Sequence, residues 1–240
     1  MLKQKNNINT GTVIFLHGSG DTGSGIFDWM KFLIGCVLGD TGSGIFDWMK
    51  FLIGDFALPH LKFLFPTAPL RSYTPLNGEM SNVWFDRYDI IPSVPEHDET
   101  LNSIDIELKS LIDGELAKGI SLDKIIIGGF SMGGAMALHT AYRSTPGFAG
   151  VFALSSFLND NSSVYSALQN LPESLDTPLI MFHGDRDTLV LPKWGKTTYD
   201  NLIKQGVHGE FHIVKNCLHE LKKKQLQHLL EWINKILPEK

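Results

Sequence analysis

A chain of 240 residues with 43% hydrophobic and 20% charged side chains fits one large globular domain and excludes a disordered or collagen-like polypeptide. Its formal net charge of −5 leaves no basic excess to neutralise phosphates, so nucleic acid is not an expected partner. Two cysteines, Cys36 and Cys217, cannot build a disulfide framework, and neither lies in a metal-ligand cluster.

In chain order, residues 1–10 are polar and asparagine-rich, without the apolar stretch of a signal peptide, and Leu2 stands where N-terminal acylation needs glycine. No window approaches the ~18 apolar residues of a membrane-spanning helix. The expected location is therefore cytoplasmic, with at most peripheral membrane contact. A strand is predicted over residues 12–16, followed by a glycine-rich run. Residues 20–35 then recur letter for letter as residues 39–54, an isolated tandem duplication offset by 19 positions (20–38 against 39–57). A solenoid would show three or more diverged units, so this pair is not that architecture.

Further strands are predicted at residues 63–65, 124–128, 151–154, 179–182 and 211–214. Residues 69–98 carry Pro69, Pro75, Pro92 and Pro95 with little periodicity and read as a long functional loop. Leu101, Ile104, Leu108, Leu111 and Ile112 follow helical spacing, and so do Leu226, Leu229, Leu230, Ile233 and Leu237. Continuous apolar strands alternating with helices predict a single α/β domain over residues 1–240, a mostly parallel sheet with helices on both faces.

The strongest chemical signal is Gly129-Phe130-Ser131-Met132-Gly133, placed after a strand and before a helix through residues 135–142. A nucleophile elbow holds its serine on a strained turn, so the residues two before and two after it must be small. The competing reading is an ordinary glycine-rich turn. A serine needs a base, and an acid to orient the base, in the chain order Ser, Asp or Glu, His. Of the later histidines, His212 falls in a strand, His228 in the last helix and His208 before a strand; His219 sits after the strand 211–214, on the carboxyl edge where ligands bind in such sheets. For the acid, Asp185 and Asp187 both follow the strand 179–182, and spacing does not separate them.

Gly18-Ser19-Gly20-Asp21-Thr22-Gly23 fits the G-x-G-x-x-G pattern of a dinucleotide site, with Asp40 at a suitable distance but inside the duplicated block. The better reading makes His17-Gly18-Ser19 an oxyanion loop, the backbone N–H of Ser19 pairing with that of Met132.

These segments, together with PTAP at 66–69, RSYTP at 71–75, SNVWFD at 81–86, GGFSMGG at 128–134, HGDRDTLV at 183–190 and the histidine of CLHEL, resemble the acyl-protein thioesterase and lysophospholipase family of serine hydrolases. The resemblance runs from Val13 to Leu237 apart from one 19-residue block. It implies the α/β-hydrolase fold, Asp187 as the acid, and Trp84 as a residue near the site, either touching substrate or packing in the core. It also implies hydrolysis of acyl thioesters or oxyesters, S-acylated proteins among them, with no cofactor or metal. Where the thioesterases usually carry Gln after the serine, this chain has Met132.

Overall fold

The β-branched and aromatic runs of the sequence assemble into one sheet in the computed structural model, which describes residues 9–21, 58–170 and 176–239. In chain order the strands and α-helices are β1 (Gly11–Leu16), β2 (Leu61–Leu64), β3 (Leu70–Tyr73), β4 (Glu79–Asn82), α1 (Asp98–Leu116), β5 (Ile125–Phe130), α2 (Met132–His139), β6 (Gly150–Leu154), α3 (Ser163–Gln169), β7 (Leu179–Gly184), α4 (Pro192–Lys204), β8 (Gly209–Val214) and α5 (Lys223–Ile236). Six strands pair in parallel in the order β2-β1-β5-β6-β7-β8. All six predicted strands are present.

Alternation along each strand divides the core between two faces. Ile14, Leu16, Ile125, Ile127, Val151 and Ala153 pack on the side of α1 and α2. Val13, Phe15, Ile126, Phe152, Leu154 and Ile180 pack on the side of α5, against Leu226, Leu229, Leu230 and Ile233. A sheet covered on both faces explains why its strands read as nearly unbroken apolar runs. Among the described residues no helix is long and apolar enough to cross a membrane.

The stretch expected as a long functional loop also carries regular structure. Residues 70–82 form the antiparallel pair β3–β4, reversed at Asn77 and Gly78, whose φ values are 54° and 83°. Asn-Gly tolerates that left-handed backbone, which makes it a strong short-range hairpin signal. The second copy of the duplicated block, residues 39–57, and nearly all of the first lie outside the described residues.

Glu115 ties α1 to the sheet. Its buried carboxylate accepts from Thr12 Oγ1 at 3.0 Å, Lys62 Nζ at 2.8 Å and Lys118 Nζ at 2.8 Å. Burial pushes its pKa up, but the bonds from Lys118, Lys62 and Thr12 outweigh that and hold it down at about 2, from an ordinary 4.5. A depressed folded value means that this contribution is present above pH 4.5 and is lost as pH falls toward 2. Because both lysines reach solvent, we expect it to be worth about 1–2 kcal/mol. Glu115→Gln should therefore lower the urea midpoint at pH 7, and the two proteins should converge near pH 2–3; a constant gap across that range would contradict the assignment.

Candidate active site

β5 ends against α2 at Ser131, whose backbone takes φ 53° and ψ −119°. A non-glycine residue in that region is strained and persists only where its surroundings over-determine it. Here they do: the Ser131 N–H donates to Leu154 O at 2.8 Å, and Ser131 O accepts from the N–H groups of Gly134 and Ala135. A Cβ added to Gly133 would lie 2.2 Å from Leu16 O, and one on Gly129 2.4 Å from the same oxygen. Only glycine at these two places lets the start of α2 rest on the end of β1.

The loop after β1 is clamped from below. His17 Nε2 accepts from the Ala68 N–H at 2.9 Å, which leaves the proton on Nδ1 to donate to Gly18 O at 2.7 Å. Burial pushes the His17 pKa down despite the Gly18 bond. Neutral and with both nitrogens engaged, His17 is a scaffold residue. Trp84 donates its indole N–H to His17 O at 2.8 Å and its ring lies 5.0 Å from the His17 ring. Trp84 is 2% exposed and is not on the pocket wall. Of the two roles expected for Trp84, its burial and the indole bond inside the protein favour packing in the core over substrate contact.

His219 is delivered by the loop between β8 and α5, stitched to the end of β7. Arg186 N–H donates to Cys217 O at 3.0 Å, Asp185 N–H to Val214 O at 3.0 Å, and Cys217 N–H to Asp185 Oδ1 at 3.4 Å. His219 Nδ1 then lies 2.7 Å from Asp187 Oδ2. The other oxygen, Oδ1, accepts from Leu189 N–H at 3.0 Å and Val190 N–H at 2.8 Å. Burial raises the Asp187 pKa, but the nearby His183, the hydrogen bond to His219 and the N–H of Val190 hold it well below the usual carboxylate range. The two carboxylates that spacing could not separate thus divide the work: Asp187 faces the histidine and Asp185 fastens its loop. Cys217 is no rival nucleophile, since burial, reinforced by Glu220, pushes its thiol up to about 11.

Ser131, His219, Ser19 and Met132 all line one cavity of about 220 Å³. Ser19 Oγ sits 3.6 Å from Met132 Sδ, so the β1 loop and the head of α2 meet at its wall. Among the described residues, the N–H groups of Ser19 and Met132 are not spent on backbone carbonyls; that of Met132 opens a helix, where no carbonyl of the same helix can reach it. No hydrogen bond joins Ser131 Oγ to His219 in this structure, a contact that commonly tightens only with substrate bound. The Phe130 ring packs 4.7 Å from that of His219. His212 and His228 contact each other at 4.5 Å beside Glu210, apart from this cavity.

The sequence model of the phospholipase/carboxylesterase family matches residues 32–237. The chain belongs to that family of α/β hydrolases. Mouse lysophospholipase-like protein 1 is 45% identical over 234 residues, covering 96% of this chain and 88% of the relative. Acyl-protein thioesterase 1 homolog 2 of Dictyostelium discoideum is 32% identical over 234 residues, with 96% and 94% covered. The backbone follows the crystal structure of Zea mays acyl-protein thioesterase 2 with a TM-score of 0.75 at 24% identity, covering 98% of this chain and 97% of that one, a likeness of fold.

Within this hydrolase, two residues near the site escaped sequence reading. His183 Nε2 donates to Val190 O at 2.8 Å and stands 3.6 Å from Asp187 Oδ2, so it buttresses the acid; its position four residues before Asp187 was the available signal. Arg87 lines the cavity, although its sequence neighbourhood, Trp84-Phe85-Asp86, drew attention to the tryptophan.

Proposed function

We propose that this hydrolase cleaves acyl thioesters or oxyesters through an acyl-serine intermediate, with S-acylated proteins, including palmitoylated ones, among its substrates and the cytoplasm as its place of action. The observation that carries the reading is the 2.7 Å Asp187–His219 bond beside a serine held at φ 53° on the same cavity. Ser131 Oγ attacks the acyl carbonyl as His219 Nε2 takes its proton, and Asp187 holds the Nδ1–H and supports the imidazolium. The N–H groups of Ser19 and Met132 receive the alkoxide, each worth about 3 kcal/mol at the transition state. Collapse expels the thiol or alcohol, protonated by His219. Water, deprotonated by the same nitrogen, then releases the acid and restores Ser131.

A second reading, a short-chain carboxylesterase without depalmitoylating activity, is favoured by the modest cavity and by the polar groups of Tyr73 and Arg87 on its wall. One experiment addresses both. A fluorophosphonate probe should label the intact chain and leave Ser131→Ala unlabelled; an unlabelled intact chain would sink the hydrolase reading. Acetyl, octanoyl and palmitoyl thioesters then divide the two. Turnover sustained to palmitoyl supports depalmitoylation, and a rate that collapses beyond octanoyl supports the short-chain enzyme.

A further inference from the structure

Arg87 is a buried cation on the wall of the catalytic cavity, 6% exposed. Its guanidinium carbon lies 4.9 Å from the centre of the Phe85 ring and 4.6 Å from that of Phe157, so the planar fork is held between two aromatic faces. Such stacking attracts a cation and fixes its direction, but it does not serve the N–H donors in the plane of the fork. The Nε–H has no hydrogen-bond partner.

Among the described residues no hydrogen bond or ion pair joins the guanidinium to a carboxylate; Glu96 favours its charge through space, and Asp21 lies on the same cavity wall. Asp86 accepts from Thr74 N–H at 2.8 Å, Thr74 Oγ1 at 2.7 Å and the backbone N–H of Arg87 at 2.8 Å. Glu96 accepts from Ser163 N–H at 2.9 Å and Ser163 Oγ at 2.8 Å, and its other oxygen lies 3.1 Å from His139 Nε2. Asp187 is engaged by His219 and by two backbone N–H groups. Burial pulls the Arg87 pKa down to about 10 against the opposing effect of Tyr73 and Glu96, which still leaves it charged at neutral pH. A buried charge that, among the described residues, no carboxylate contacts directly is costly unless a partner arrives to satisfy it. The side of Arg87 open to a partner is the cavity shared with Ser131 and His219.

We propose that Arg87 is an anion subsite within the catalytic cavity, and that the ester or thioester cleaved at Ser131 carries a carboxylate or similar anionic oxygen group close to its scissile carbonyl. A carboxylate matches the guanidinium fork with two parallel hydrogen bonds. The proposal deepens the acyl-hydrolase reading and rests on it for the reaction, though not for the binding. It shifts the substrate class from plain long-chain acyl groups to compact acyl esters bearing a negative charge, on either the acyl or the leaving-group side.

Matched substrate pairs test it. On the acyl side, succinyl and glutaryl thioesters are compared with butyryl and valeryl thioesters of one neutral thiol. On the leaving-group side, the butyryl thioester of mercaptopropionate is compared with that of its amide. The intact chain should prefer the charged member of at least one pair by about tenfold or more in kcat/KM, and the pair that responds tells which side carries the charge. Arg87→Met, which keeps the apolar stem, should bring that ratio close to one, and Arg87→Lys should retain part of it. No preference in either pair, or a preference that Arg87→Met leaves intact, overturns the proposal.

Binding is measured separately, by calorimetric titration of Ser131→Ala with glutarate and succinate. We expect binding that weakens about tenfold or more when Arg87→Met is added; absence of binding by both dianions counts against the subsite even if Ser131 proves to be the nucleophile. Conversely, an intact chain that escapes the fluorophosphonate probe but binds glutarate through Arg87 fails the hydrolase reading and keeps the subsite. If Arg87→Met does not fold, the charge preference of the intact chain and the titration of Ser131→Ala still decide.

Discussion

Replacing Asp187 by asparagine is expected to lower kcat/KM by about 10⁴-fold while leaving the melting temperature nearly unchanged. The fold is spared because the two backbone donors, Leu189 N–H and Val190 N–H, both address Oδ1, an atom that asparagine keeps. The chemistry is lost at the other position. Where Oδ2 now accepts from His219 Nδ1 at 2.7 Å, an amide NH₂ would donate instead. That reverses the imidazole tautomer, placing the proton on Nε2, so the nitrogen facing the cavity can no longer take one from Ser131. Asp185→Asn is the matched control. It retains Oδ1 for the Cys217 N–H and gives up the long 3.8 Å contact with Lys215, so a loss under about tenfold is expected. Equal losses from the two variants would show that the acid has been misassigned. The acid limb of the rate profile bears on the same point. Asp187 is held well below the ordinary carboxylate range, so it stays ionised as activity falls on acidification, and that limb reports protonation of another group.

Much of this site was legible in the sequence because its parts are tied to local backbone demands. A serine flanked at two residues' distance by glycines after an apolar strand carries its own structural requirement, and the structure meets it with φ 53° at Ser131. His219 was legible for a topological reason: the carboxyl edge of a parallel sheet gathers its loops. Partners set by tertiary geometry were not legible in the same way. Asp185 and Asp187 are equivalent by spacing, and they part only when the β8–α5 loop is fastened to Asp185 and so swings His219 to the other. Trp84 is a second such case, since sequence leaves it either touching substrate or packing in the core and only the folded chain binds it to His17 O beneath the loop. Helices α3 and α4 escaped the periodicity reading, although Ser162 accepting from Val164 N–H at 3.2 Å and Pro192 in the first turn of α4 are recognisable start signals. Arg87 left no pattern to find, because what marks it is a guanidinium held between two rings with its Nε–H unpaired among the described residues, and that exists only once the chain has folded.

Gly133→Ala carries the largest expected cost in stability. The added Cβ would sit 2.2 Å from Leu16 O, 2.5 Å from His17 O and 2.5 Å from Leu16 C. All three are backbone atoms of β1 and the loop that follows it, and β1 is paired on both sides, to β2 and β5. No rotamer change relieves the overlap, so either α2 lifts off the strand end or β1 shifts within the sheet. We expect a loss of about 3 kcal/mol or more, read as a fall in melting temperature of about 6–12 °C for a chain of this size. Probe labelling of whatever fraction remains folded should fall too, because lifting α2 withdraws the Met132 N–H from the cavity and relaxes the turn that presents Ser131. Gly114→Ala supplies the contrast. That glycine is inside α1, where an added Cβ meets nothing within 4 Å, so the substitution should stabilise by about 0.5–1 kcal/mol through helix propensity alone. Were Gly133→Ala to melt with the parent chain, α2 could not approach β1 as closely as it does here, and the strained serine would lose its physical cause: the elbow is bent because a helix begins directly on the end of a strand that has no room for a side chain.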